Sequence, residues 1–134
     1  MSISLDHIIV PSRDRKAAAQ LLAEILDVPW SEATSAGPFC PVYVNAELTF
    51  DVGEIGGFSV QHYCFRVGAA EFDAILGRLR DKGIGYRSTP LGAVDMQVKT
   101  QDGGRIVYWS EPDGHVWEML TASYARQPQM LTMT

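Results

Sequence analysis

His7, His62 and Glu118 are the residues of this 134-residue chain whose types and placing best suit a metal ion. Two neutral imidazoles and one carboxylate on facing strands match Fe(II), Mn(II), Zn(II), Ni(II) or Co(II), and they leave coordination positions open for a substrate. A divalent ion held in this way serves as a Lewis acid or as a centre for oxygen chemistry. One such ion is the expected cofactor. Taken singly, each residue reads more simply as a packed or ion-paired side chain, Glu118 with Arg66 for instance. Their joint placing in a repeated pattern is what favours a metal.

The pattern is an internal duplication. Leu5-Asp6-His7-Ile8-Ile9-Val10 runs into the apolar-periodic stretch Ala17, Ala18, Leu21, Leu22, Ile25, Leu26, and Val60-Gln61-His62-Tyr63-Cys64-Phe65 runs into Phe72, Ile75, Leu76, Leu79. An offset of 55, from 7 to 62, aligns both the histidines and the helical periods, with Gly83 as a stop for the second helix. Leu48-Thr49-Phe50-Asp51-Val52 then matches His115-Val116-Trp117-Glu118-Met119-Leu120, so Asp51 answers to Glu118. There the offset is 67, from 51 to 118, and the 12 extra residues fall between Ser88 and Gly104, as insertions in loops do. Gly85, Gly92, Gly103 and Gly104 give that loop the hinge freedom expected of a lid.

Strand residues alternate between faces, which decides the polar groups that can meet. His62 shares a side with Cys64 and Arg66, opposite an apolar face of Tyr63, Phe65 and Val67. Asp51 shares one with Thr49, opposite Leu48, Phe50 and Val52. Glu118 goes with Val116 and Leu120, whereas His115 goes with Trp117 and Met119 and so faces away from the carboxylate. Glu111-Pro112-Asp113-Gly114 fits a type I turn closed by a left-handed residue. Counting back from it sets Tyr108 opposite Glu118, in the same polar concavity. Asp51 is therefore a candidate fourth ligand or metal-proximal base, and Tyr108 a candidate donor to a substrate oxygen. As structural side chains they would be a strand-end aspartate and a barrel-lining aromatic.

A net charge of −5 and a pI near 5.0 oppose binding to phosphate backbones, and no basic run suggests a nucleic-acid face. No apolar run approaches the roughly 20 residues of a membrane span and no signal peptide is recognisable, so a cytoplasmic protein without nucleic-acid or membrane partners is expected. Cys40 and Cys64 are too few for a disulfide framework and read as packing thiols. The length fits one domain, residues 1–123, made of module 1 (1–57) and module 2 (58–123). Residues 124–134 read as a loosely held tail, in which Met130, Leu131 and Met133 could dock on a neighbour.

Leu5 to about Thr121 resembles the vicinal oxygen chelate superfamily of glyoxalases, bleomycin-resistance proteins and ring-cleaving (extradiol) dioxygenases. The likeness rests on Leu-Asp-His-Ile-Ile-Val, on His62 opening the second module, and on the terminal Glu111-Pro112-Asp113-Gly114-His115-Val116-Trp117-Glu118. The resemblance implies an α+β fold of two βαβββ modules curled into a half-open barrel, with metal ligands at His7, His62 and Glu118, and a homodimer. It further implies a metal-dependent lyase or dioxygenase, whose ion chelates two neighbouring oxygens of a small substrate and stabilises an enolate or oxyanion. Lactoylglutathione lyases carry a glutamate where Asp51 stands and an arginine where Pro11 stands. Ring-cleaving dioxygenases have a tyrosine at the place of Tyr108 and a histidine acid/base where this chain has Lys99. Fosfomycin-modifying transferases place a hydroxyl residue where Ile9 stands and need a cationic cradle, for which Lys99, Arg105 and Arg126 are available. The contrasting expectation is a metal-free antibiotic-sequestering protein of the bleomycin-resistance kind, with Trp30, Trp109 and Trp117 facing a cationic aromatic ligand.

Overall fold

A computed structural model describes residues 2–32 and 37–126. The tail residues Met130, Leu131 and Met133 lie outside them. The chain forms two compact units, Met1–Ser59 and Val60–Thr134. Among the described residues there are two helices and eight strands in two open sheets, an α+β fold.

In the first unit, β1 (His7–Ser12) leads into α1 (Arg15–Leu26), followed by β2 (Cys40–Tyr43) and β3 (Thr49–Glu54). The Asp14 carboxylate accepts from the Ala17 N–H at 3.1 Å and so satisfies one of the amides that a helix start leaves open. The helix stops at Asp27, whose φ of 57° is left-handed. α1 packs on the strands of this unit and buries Ala19, Leu22, Ala23 and Ile25. The strand order is β1-β3-β2, with β1 parallel and β2 antiparallel to β3. Among the described residues, an isolated bridge also pairs Trp30, between α1 and β2, with Val42 of β2.

The second unit repeats that plan. It runs β4 (His62–Arg66), α2 (Ala69–Asp81), β5 (Tyr86–Arg87), β6 (Lys99–Gln101), β7 (Gly104–Ser110) and β8 (Val116–Leu120). α2 buries Phe72, Ile75, Leu76 and Leu79, the four positions of its apolar period. Its start is held by Glu71, which accepts from the Gly68 N–H, and past its end Gly83 takes a φ of 67° that other residues adopt only with strain. The sheet order β4-β8-β7 reproduces β1-β3-β2, and again the first strand lies parallel to the last. β5 and β6 both pair antiparallel with β7, at Tyr108–Trp109 and Gly104–Ile106 respectively, so they are one edge strand interrupted by the extra residues. The inserted stretch thus begins as a loop over residues 88–98 and ends as β6 and the turn at Asp102–Gly103.

The registers of the two units correspond. His7 stands opposite Thr49 and Ile9 opposite Asp51, while His62 stands opposite Val116 and Cys64 opposite Glu118. Asp51 and Glu118 therefore occupy the same place, two residues beyond the partner of the histidine.

Candidate metal centre

Glu118 sits in the middle of its sheet with no solvent exposure, between Cys64 of β4 and Tyr108 of β7. A buried charge is expensive unless it is paired or coordinates a metal. The side-chain nitrogen beside this carboxylate is that of His62, whose Nε2 lies 2.8 Å from Oε1, and not that of Arg66, which stands opposite Leu120. The imidazole is about half exposed at 48%, so one edge of the pair is open. The Tyr124 hydroxyl donates to both carboxylate oxygens, at 2.9 Å to Oε1 and 2.7 Å to Oε2. None of these partners is a fixed cation. A buried acid beside an imidazole nitrogen, both reachable from one side, has the donor chemistry of two ligands of a first-row divalent ion.

The neighbours remain protonated. Burial, then the charge of Glu118, raises the Tyr108 hydroxyl above its ordinary range, and burial, then hydrogen bonding to Glu118, raises Tyr124 much further. The thiol of Cys64 is shielded although the residue is largely exposed. Burial and the charge of Glu118 push it up to about 12, so it is not a nucleophilic thiolate near neutral pH. Cys40 alone of the two cysteines is a buried packing thiol. His115 belongs to the other face, as alternation requires. It is fully buried, its Nδ1 accepts from the Gln61 N–H at 2.9 Å, and its ring meets Tyr63 and Trp117 edge-on. Its own N–H donates to Glu111 at 2.8 Å, which ties down the turn that carries Gly114 at a φ of 86°.

His7 and Asp51 stand in the first unit. The Asp6 carboxylate lies 2.8 Å from His7 Nδ1, and this hydrogen bond, helped by the charges of Asp6 and Asp51, holds the imidazole pKa above 6.5. With Nδ1–H donated to Asp6, Nε2 remains as the acceptor, the carboxylate–histidine arrangement that commonly supports a metal-bound imidazole. Asp51 is half-buried, between Ile9 and Pro41 in the sheet. Among the described residues no group of three or more His, Cys, Asp or Glu side chains is assembled that could hold a metal ion; the structure brings two donors together, His62 and Glu118.

Two residues of this face were missed in the sequence. Tyr124 falls in the segment that reads as a loose tail, because period-2 alternation ends with β8. The even-numbered parity of 118 and 120, continued past the strand, is the one signal that points to it. Arg87 faces the same side, opposite Tyr108. Only 8% exposed, it donates to the carbonyls of Thr89 and Pro90 and to Ser110 Oγ. Lys99 is exposed on β6, and Arg105 is engaged by Asp73 and by the ring of Phe72.

No protein-family model and no curated protein sequence matches this chain. Solved structures do. It is 40% identical to the oxidase ChaP-H1 and 37% identical to the oxidase ChaP-H2, with TM-scores of 0.84 and 0.85. Each alignment covers 93% of this chain, with 100% of ChaP-H1 and 98% of ChaP-H2. The chain belongs to the vicinal oxygen chelate superfamily. The superfamily fold is shared with the genomically encoded fosfomycin resistance protein FosX from Listeria monocytogenes, at a TM-score of 0.70 and 18% identity, over 92% of this chain and 97% of that one. Superfamily members near this chain thus include oxidases and a resistance protein. No helix among the described residues is long and apolar enough to cross a membrane.

Proposed function

We propose that this chain is a metal-dependent enzyme of the glyoxalase/dioxygenase type, in which His7, His62 and Glu118 hold one divalent ion. The observation that carries the reading is the contact of His62 Nε2 with the fully buried Glu118 carboxylate at 2.8 Å. A side chain kept for packing alone has no reason to bury a carboxylate without a fixed cation. His7, with Asp6 behind its ring, has the chemistry of the third ligand. The likeness to two oxidases directs the proposal to oxidation of a small substrate that presents two neighbouring oxygens.

A divalent ion so held supplies Lewis acidity and, where it is redox-active, one-electron chemistry. Tyr108, kept protonated by burial, donates a hydrogen bond to a substrate oxygen on the face it shares with Glu118. Asp51, whose register in the first unit answers to that of Glu118 in the second, is the fourth ligand or the metal-proximal base. His115 takes no part, so proton transfer falls to Asp51 or to the substrate itself. Residues 1–123 are one domain of a cytoplasmic homodimer, and the stretch from Ser88 to Gly104 closes on bound substrate.

The test is oxygen uptake by protein reconstituted anaerobically with Fe(II) or Mn(II) and offered catechols, α-hydroxyketones and related compounds. The expected result is uptake with at least one compound, abolished by His62→Ala. Tight binding without turnover, equal in wild type and His62→Ala, would replace this reading with sequestration.

A further inference from the structure

Tyr124 makes two contacts with one carboxylate, and their geometry is unequal. Oε1 of Glu118 is the oxygen beside His62, at 2.8 Å from Nε2, and Oε2 takes the shorter hydroxyl contact at 2.7 Å. A cation shared with the imidazole meets Oε1, while the hydroxyl can keep Oε2. Both carboxylate oxygens lie within hydrogen-bonding reach of this one hydroxyl, and the shorter contact is to the oxygen turned away from His62. Its ring is otherwise 43% exposed, so little apolar packing explains its place.

We propose that Tyr124 is a positioning residue that holds Glu118 as a one-oxygen ligand. This rests on the reading of Glu118 as a metal ligand. A carboxylate free to turn binds a metal through two oxygens and fills a coordination position. A hydroxyl clamped on Oε2 prevents this and leaves room for a substrate that itself chelates through two oxygens. The clamp comes from the segment after β8, outside the strands that carry the ligands, so the chain reaches back over its own site by six residues from Glu118 to Tyr124.

The experiment compares wild type, Tyr124→Phe and Glu118→Gln, each checked for fold by circular dichroism and loaded with Co(II). Affinity is read by competition with a chelator, and coordination by the visible d–d absorption. The expected result is Co(II) binding weakened about 10- to 100-fold in Tyr124→Phe, with a weaker d–d band because Glu118 now supplies two oxygens. In Glu118→Gln, Co(II) binding is lost. Wild-type affinity and an unchanged spectrum in Tyr124→Phe, alongside loss of metal in Glu118→Gln, would overturn the positioning role alone. Full binding by Glu118→Gln would overturn the ligand reading beneath it, and the positioning role with it.

Discussion

Replacing Glu118 by leucine separates a carboxylate kept for function from one kept for structure. The side chain is wholly buried and shares its face with Ile106, Tyr108 and Leu120, which form an apolar cluster with Val116 packed against it. Leucine has a similar volume and joins that cluster. The polar partners left behind are the half-exposed His62 and the 43% exposed Tyr124, and both can turn to water. Exchanging a buried ionic group for an apolar one of like volume is neutral or stabilising by about 1–4 kcal/mol when no partner is stranded. At about 4 °C per kcal/mol for a chain of this size, metal-free Glu118→Leu melts several degrees above metal-free wild type. With metal at about a thousand times its dissociation constant, wild type gains about 4 kcal/mol. The variant gains nothing, and the order of melting temperatures reverses. Differential scanning calorimetry of both proteins, stripped and metal-loaded, reads the four values. A metal-free variant destabilised by more than about 2 kcal/mol would refute the reasoning and make Glu118 a hydrogen-bonded strut.

Three further outcomes follow from particular contacts. Because the His7 pKa lies above 6.5 and only neutral imidazole ligates, metal affinity should fall as pH drops through that raised value. Asp6→Asn should shift the fall to lower pH while weakening binding at pH 8 by about tenfold, as measured by chelator competition across pH. His115→Ala should cost about 2–4 kcal/mol in thermal unfolding, through the lost ring packing and the stranded Gln61 amide, with metal content unchanged. Asp95 accepts from the Ser88 and Gln97 amides, and its pKa is lowered chiefly by its hydrogen bond with the Ser88 hydroxyl. A lowered carboxylate pKa stabilises above the unfolded value of 3.8 and loses that effect as pH falls through the folded one. Loop 88–98 should therefore resist a neutral protease in wild type and be cut faster in Asp95→Ala. Protection that a substrate analogue does not increase would count against a lid.

The duplication was legible because alternation and helical period leave direct marks on sequence. Phe72, Ile75, Leu76 and Leu79 are buried as their spacing requires, and the Pro-Asp-Gly turn sets the register of Tyr108 against Glu118. The parity that separates Glu118 from His115 likewise holds, since one is bonded to His62 and the other to the Gln61 amide. Other features depend on contacts that no local pattern encodes. Tyr124 follows the last strand in an aperiodic segment, and only the return of the chain brings its hydroxyl to the carboxylate. Arg87 lies on a strand of two residues, too short to show a period, and its partners are carbonyls of the adjoining loop. Asp95, inside the insertion, organises a loop that its glycines alone made look open.

The central claim is most directly tested by metal content. Wild type, His7→Ala, His62→Ala and Glu118→Ala, dialysed against a mixture of first-row divalent ions and then against buffer, would be measured by inductively coupled plasma mass spectrometry. One ion per chain in wild type, with its loss in all three variants, is the expected result. No ion in wild type, or an ion retained in every variant, would contradict it.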